Sequence, residues 1–398
     1  MDEKMKWSLA GLCLVPLVMV LGNSMLIPVL PALKNELGIS QFEASLIITA
    51  FSIPAGIVIP VAGYLSDHYG RKKVIVPALL VYALGGVIAG LGAVILKENS
   101  YPVIMAGRVI QGVGAAGTAP IAMALASDIF TGAARSKALG VIEAFNGLGK
   151  VLSPILGSLI ALIVWYAVFF AFPLLCIPFA IIVWMKVTEP SGNLNKQPVK
   201  QYLKGILKIF SKQGATLLAA FLAGSITLFI LFGLLFYLSD ILEEKYHIDG
   251  VYKGFVLALP LLVMATTSYV TGKKVKSKPK KMKSIAVTGL IVIAVGSGAA
   301  IISTNTYFQM SALMIIGFGS GLVLPCLNTI ITGSISAEER GLVTSLYGSV
   351  RFFGVAIGPP VFGFLMKISS QIMFGAMSIL AGITAAIAFF VIKVKKSG

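Results

Sequence analysis

The sequence predicts an all-α membrane protein with twelve transmembrane helices arranged as two pseudo-symmetric six-helix bundles. Three observations predict it. Of 398 residues, 57 % are apolar and only 12 % charged, against about 25 % charged in soluble globular proteins; so few charges cannot coat a soluble surface. Apolar runs of spanning length recur twelve times, with polar punctuation between them. The Lys and Arg residues, which leave a net charge of +17, fall almost entirely on alternate connections between those runs.

A helix crosses the ~30 Å hydrocarbon core with about 20 apolar residues. Runs of that kind lie near 7–31, 42–64, 74–96, 101–129, 137–163, 165–187, 214–238, 251–272, 284–304, 306–333, 341–366 and 370–394. The first follows only a short polar start and has no small-residue cleavage site before Pro28 and Pro31, so it is expected to be a retained helix rather than a signal peptide. Within the third, Gly85 to Leu96 lacks the apolar–polar alternation of a membrane strand, which argues against a barrel. The sixth is flanked by Trp165 and Trp184, about 28 Å apart on a helix, as interfacial anchors are.

With the N-terminus in the cytoplasm, an even number of spans also places the C-terminus and every even-numbered connection there. Those regions hold 24 Lys and Arg residues and the opposite ones five: Lys34, Lys97, Lys245, Lys253 and Lys367. Acids show no bias, with seven on each side, as expected when Lys and Arg alone set topology. The basic excess is therefore a topology code and not a nucleic-acid surface. Its densest runs, Lys196 to Lys212 and Lys273 to Lys283, can also meet anionic lipid headgroups.

The polar segment near Thr188 to Gly214, with an amphipathic stretch from Tyr202 to Phe210, bisects the spans. It suggests an N-terminal bundle over 1–187, a cytoplasmic linker over 188–213 and a C-terminal bundle over 214–398. A shift of 205 residues superposes Gly112, Gly114, Pro120, Arg135, Gly149 and Pro154 on Gly317, Gly319, Pro325, Arg340, Gly354 and Pro359. A shift of 209 aligns Ile39 with Ile248 and Gly63 with Gly272. A duplicated bundle is the pattern of a transporter.

The second connection reads Gly63-Tyr-Leu-Ser-Asp67-His-Tyr-Gly70-Arg71-Lys72-Lys73. Gly63 and Gly70 permit tight turning, and Asp67 can accept from helix N-terminal amides or a basic partner. This string resembles the loop signature of the major facilitator superfamily, matched at Gly63, Leu65, Asp67, Gly70, Arg71 and Lys72. The corresponding loop of the second half keeps only Gly272 and its basic character.

The fourth span carries Arg108-Val-Ile-Gln111-Gly112-Val-Gly114-Ala-Ala-Gly117. Gly112 to Gly117 matches a dinucleotide fingerprint formally, but no strand precedes it. Arg108, Gln111, Ala115 and Thr118 share an arc of about 80° at 100° per residue, a narrow polar stripe that resembles the fourth-helix motif of proton-coupled members. In the fifth span Gly140, Gly149, Ser153-Pro154 and Gly157-Ser158 resemble the signature of drug/proton antiporters, with Ser153 and Ser158 in place of two glycines. The resemblance implies a helix contact that seals an exporter against leak.

The fifth span also holds Glu143, Asn146 and Lys150. A charge at a helix centre costs about 2.5–3.5 kcal/mol on insertion scales, so these groups must face protein or water, and function is the default reading. Glu143 and Lys150 are two turns apart, about 10.5 Å. Arg351 in the eleventh span aligns with Asn146 by the repeat and has Tyr347 on its face. With Asn23 of the first span, Gln111, and Asn328 of the tenth, these form the candidate substrate-binding set. Glu143, Arg108 and, in reserve, Asp240 form the candidate proton-coupling set.

The chain has no phosphate-binding loop and no HExxH, and its histidines, His68 and His247, fall in loops. Cys13, Cys176 and Cys326 lie singly in apolar runs, as small hydrophobes do. No enzyme chemistry, cofactor, metal or nucleic-acid partner is implied. The resemblance implies a bacterial cell-membrane antiporter, monomeric, with both termini cytoplasmic, that spends a proton gradient to export a small amphipathic compound. Core cations Arg108, Lys150 and Arg351 outnumber Glu143, and the first span offers only Asn23 and Ser24 where many members carry an acid. That balance favours neutral or anionic cargo such as a phenolic antibiotic or a catecholate siderophore. An importer remains an alternative within transport, and a channel or receptor outside it.

Overall fold

The computed structural model describes residues 3–190, 199–275, 279–303, 305–333 and 340–393. Residues 191–198 of the expected linker, and the side chains of 199–209 in its amphipathic stretch, lie outside the described residues. Among the described residues all regular structure is helical: α1 Glu3–Ser24, α2 Leu30–Leu37, α3 Gln41–Tyr69, α4 Arg71–Leu96, α5 Tyr101–Ala116, α6 Ala119–Ile129 and α7 Gly132–Ala161, then α8 Ala167–Lys186, α9 Val199–Glu244, α10 Gly250–Val275, α11 Pro279–Ile302, α12 Thr306–Gly333, α13 Arg340–Ile368 and α14 Ser370–Val391. Each of the twelve sequence-expected spans is represented.

Two spans are interrupted, each for the same reason. A proline ring clashes with the carbonyl four residues before it and offers no N–H. The first span ends as α1 at Ser24, four residues before Pro28, turns through Ile27–Val29 and resumes as α2. The fourth ends as α5 at Ala116, four residues before Pro120, and resumes as α6. Prolines such as Pro54, Pro77, Pro154 and Pro260 stay inside their helices, where neighbouring helices supply the lost contacts.

The connections are capped. Gly38, in the left-handed conformation at φ 61°, ends α2 with its N–H on Lys34 and Asn35 carbonyls. Two residues on, Ser40 and Glu43 form a reciprocal capping box that starts α3. Between α3 and α4 the chain turns on Gly70 alone, at φ 113°, a value that L side chains avoid.

The chain forms two compact units, residues 1–197 with 239–258, and residues 198–238 with 259–398. In the first, α4 packs on α5 and α8, α3 on α5, and α1 on α7; in the second, α11 packs on α12 and α14. Glycines set these approaches. A Cβ on Gly112 would strike the Phe51 carbonyl oxygen, and one on Gly317 would strike that of Pro260. Gly112 and Gly317 are 205 residues apart and Phe51 and Pro260 are 209 apart, the two offsets of the sequence repeat. Gly149 faces Leu17 of α1, and its repeat partner Gly354 meets the Ser225 carbonyl of α9. Gly85 and Gly107 face each other's carbonyls, as do Gly289 and Gly319.

A Cβ on Gly157 would strike the Met25 carbonyl, whereas one on Gly140 meets nothing within 4 Å. Gly157→Val is therefore expected to destabilise the protein by about 1–3 kcal/mol through overpacking, and Gly140→Ala to leave stability unchanged or slightly raised. Thermal unfolding of the two purified variants in detergent checks this contrast.

Candidate functional site

Arg108 on α5 is fully buried. Its Nε donates to the Ile47 carbonyl at 3.2 Å and one terminal nitrogen donates to Gln111 Oε1 at 2.7 Å. The guanidinium lies over the Phe51 ring, 4.4 Å from its centroid, and the Gly112 contact is what brings that ring so near. The other terminal nitrogen, and the Gln111 amide nitrogen, have no hydrogen-bond partner among the described residues. Two buried donors with no acceptor cost free energy and equip this spot to hold an acceptor group. Nearby along the chain fold, Asn23 Oδ1 accepts from Ser52 at 3.4 Å.

On α7 the Asn146 amide donates to Glu143 Oε1 at 3.4 Å, which steadies an exposed carboxylate one turn away. Lys150 is half-buried one turn further. Ser153 is buried and returns its hydroxyl to the Gly149 carbonyl at 2.7 Å, so its polar atom is absorbed by its own helix. The other edge of this helix meets Gly254 of α10: a Cβ there would lie 2.7 Å from the Pro154 carbonyl and 2.9 Å from Ser158 Oγ. The Gly149–Ser153–Pro154–Gly157 surface thus packs on α1 and on α10. Gly254 carries no motif and was not expected from sequence.

In the signature loop, Asp67 pairs with Arg71. Arg71 also reaches Asp128 of α6 at 3.2 Å and Ser66 Oγ at 2.9 Å. The N-terminal amides of α4 are taken by a different acid. Glu189, just after α8, accepts from the N–H groups of Arg71 at 2.6 Å and Lys72 at 3.1 Å, and its carboxylate lies 3.3 Å from where a Gly70 Cβ would sit. Lys72 completes the tie, donating to the Val187 carbonyl at 2.9 Å and lying over Trp184. Gly63 sits one turn before Asp67, its carbonyl accepting from Ser66. Sequence reasoning named Asp67 and Arg71 but missed Asp128 and Glu189, which are distant in the chain and carry no local pattern.

Asp240 is buried near the end of α9 and faces Lys34 Nζ at 3.6 Å, and Lys34 also pairs with Glu244. Beside them, fully buried Lys253 pairs with Glu243, and Ser239 donates to the Ile27 carbonyl at the broken first span. The reserve carboxylate therefore belongs to an ion-pair cluster that sequence left as scattered loop charges.

In the second unit Arg351 lies over the Tyr347 ring at 5.3 Å, and Tyr347 packs on Phe221 at 5.5 Å. Arg351 Nε and the Tyr347 hydroxyl are both buried without hydrogen-bond partners among the described residues. Gly224 makes room for the Tyr347 ring. Asn328 on α12 is half-buried, its carbonyl accepting from Thr332 at 2.8 Å. Each unit thus holds a cation stacked on an aromatic ring with an unused donor.

A sequence profile of the Major Facilitator Superfamily matches residues 12–359 and 283–398. The chain is 44 % identical over 392 residues to the bacillibactin exporter of Bacillus subtilis strain 168, covering 98 % of this chain and 97 % of that protein. It is 26 % identical to multidrug resistance protein 1 of the same organism, covering 93 % and 92 %. Among solved structures, a human organic anion transporter matches with a TM-score of 0.75 at 20 % identity, covering 98 % of this chain and all of that one. A D-xylose–proton symporter matches with a TM-score of 0.76 at 14 % identity, covering 98 % and 97 %.

Because Glu189 holds amides that no other cap serves, Glu189→Ala is expected to cost about 1 kcal/mol, within the range of a lost N-terminal cap. Glu189→Gln should recover part of it. Thermal unfolding of both variants, with salt added to screen the charge component, checks this.

Proposed function

The chain belongs to the Major Facilitator Superfamily, and on that premise we propose that it is a proton-coupled antiporter exporting a small amphipathic anion, with a catecholate siderophore as the cargo class. The single observation that carries the anionic reading is the pair of cations with unused donors. Arg108 and Arg351 each keep a buried N–H without an acceptor and each lies on an aromatic ring. An anionic aromatic compound offers both the acceptor and the ring face that such groups favour. The relative named as a bacillibactin exporter, at 44 % identity over nearly the full length, supports a siderophore over other anions.

Export follows from the fifth-span signature, and energy from a proton exchanged for cargo in alternating access, with no cofactor. Glu143 is the proposed proton carrier. Its carboxylate is exposed and accepts from the Asn146 amide at 3.4 Å. Asp240, engaged with Lys34, is the second candidate. A broader drug-export role is the alternative reading, supported by the likeness to multidrug resistance protein 1.

The test is transport in inverted vesicles with an imposed pH gradient, comparing bacillibactin with amphipathic cations of matched size. Gradient-driven accumulation of bacillibactin is expected, and a clear preference for the cations would overturn the anionic reading. Arg108→Gln and Arg351→Gln should each weaken binding about tenfold or more, the loss of one charge-assisted hydrogen bond of about 1.5–3 kcal/mol. Glu143→Gln should abolish the gradient-driven part while leaving binding measurable. Unchanged pH-dependent efflux in that variant would remove Glu143 as carrier.

A further inference from the structure

A cavity of about 490 Å³ opens in the second unit where the end of α10, the start of α11 and the middle of α12 diverge. Among the described residues most of its wall is apolar, from Val270, Ile285, Phe318 and Leu322, and its polar groups are threonine hydroxyls with one cation, Lys281. Val270 and Phe318 are more than two-fifths exposed, so the cavity is open along apolar surface of spanning helices. Lys281 lies in the first turn of α11, at its end of the span, and Thr288 lies two turns deeper, about 10 Å along the axis. The cation thus sits at one end of the cavity, with apolar side chains and threonine hydroxyls along its depth.

Charge decides what fits. Residues 250–337 contain no Asp or Glu, while 272–283 contain seven lysines. No carboxylate from the three helices lining the cavity can neutralise Lys281. Lys283, two residues on, is turned to the Phe389 ring at 5.4 Å, and among the described lysines of this stretch Lys281 lines the cavity. We propose that this cavity binds an anionic phospholipid, with the phosphate at Lys281 and an acyl chain along Val270, Phe318 and Leu322. A cluster of basic residues beside a membrane span recognises anionic headgroups, and the apolar wall distinguishes a seated lipid from diffuse attraction. The proposal concerns the lipid partner and stands apart from the identity of the cargo.

The experiment uses the full chain, purified and exchanged into phosphatidylcholine nanodiscs with a small fraction of phosphatidylglycerol, with retained lipid counted by native mass spectrometry. Selective retention of phosphatidylglycerol is expected. Lys281→Gln should lower it about fivefold, the effect of one lysine near an anionic surface, and Lys281→Arg should preserve it. Val270→Trp, which fills the cavity and keeps every charge, should lower retention as well. Lys280→Gln, which removes an equal charge from a neighbour outside the cavity lining, should leave it within twofold. An equal loss in Lys280→Gln would mean diffuse attraction only and would overturn the site. So would full retention in Val270→Trp, equal retention of phosphatidylcholine, displacement of the lipid by millimolar inorganic phosphate, or its displacement by bacillibactin, which would make the cavity a cargo site.

Discussion

Helix association in a bilayer lacks the hydrophobic driving force that assembles soluble proteins, because lipid tails are as apolar as the side chains. Close backbone contact must replace it. In this chain the replacement is a set of glycines whose missing Cβ admits a neighbour's carbonyl: Gly112 at Phe51, Gly157 at Met25, Gly317 at Pro260 and Gly354 at Ser225. Everything else depends on those approaches. The Phe51 ring can stack on Arg108 because α3 and α5 touch at Gly112, and Tyr347 reaches Phe221 because Gly224 leaves room for it. The cations are thus placed by small residues on other helices.

Charges away from those contacts sort by depth. At the loop between α3 and α4 charges hold helix ends: Arg71 gathers Asp67 and Asp128, and Glu189 caps α4 across a long chain separation. At the end of α9, Lys34 pairs with Glu244 and stands 3.6 Å from Asp240 Oδ1, and Lys253 pairs with Glu243. The embedded cations differ. Arg108 and Arg351 keep unused donors, which is costly at rest and sensible where an acceptor is to arrive. The same logic applies outside the core at Lys281, which lines an apolar cavity in a stretch without acids.

The fold was legible from residue order because the bilayer imposes a length on every span and a Lys/Arg bias on alternate connections. The repeat was legible too, and its two offsets return as physical contacts, since a glycine and the carbonyl it admits must be duplicated together. The two broken spans could have been read from Pro28 and Pro120, whose i−4 clash fixes where α1 and α5 stop. Gly140 and Gly157 show the limit: both belong to one motif, yet only Gly157 meets a neighbouring backbone.

By itself the sequence determined the class, the number of spans and which residues are too polar for lipid, because each follows from composition along one helix. Only the tertiary structure decided the partners: that Glu189 rather than Asp67 takes the α4 amides, that Lys34 belongs with Asp240, that Gly254 fits against Pro154 and Ser158, and that Arg108 rests on Phe51. Helical periodicity gives the direction in which a side chain leaves its own helix. Which group meets it there is fixed by the tilt and separation of another helix, and those are set by where two backbones can come close enough to touch.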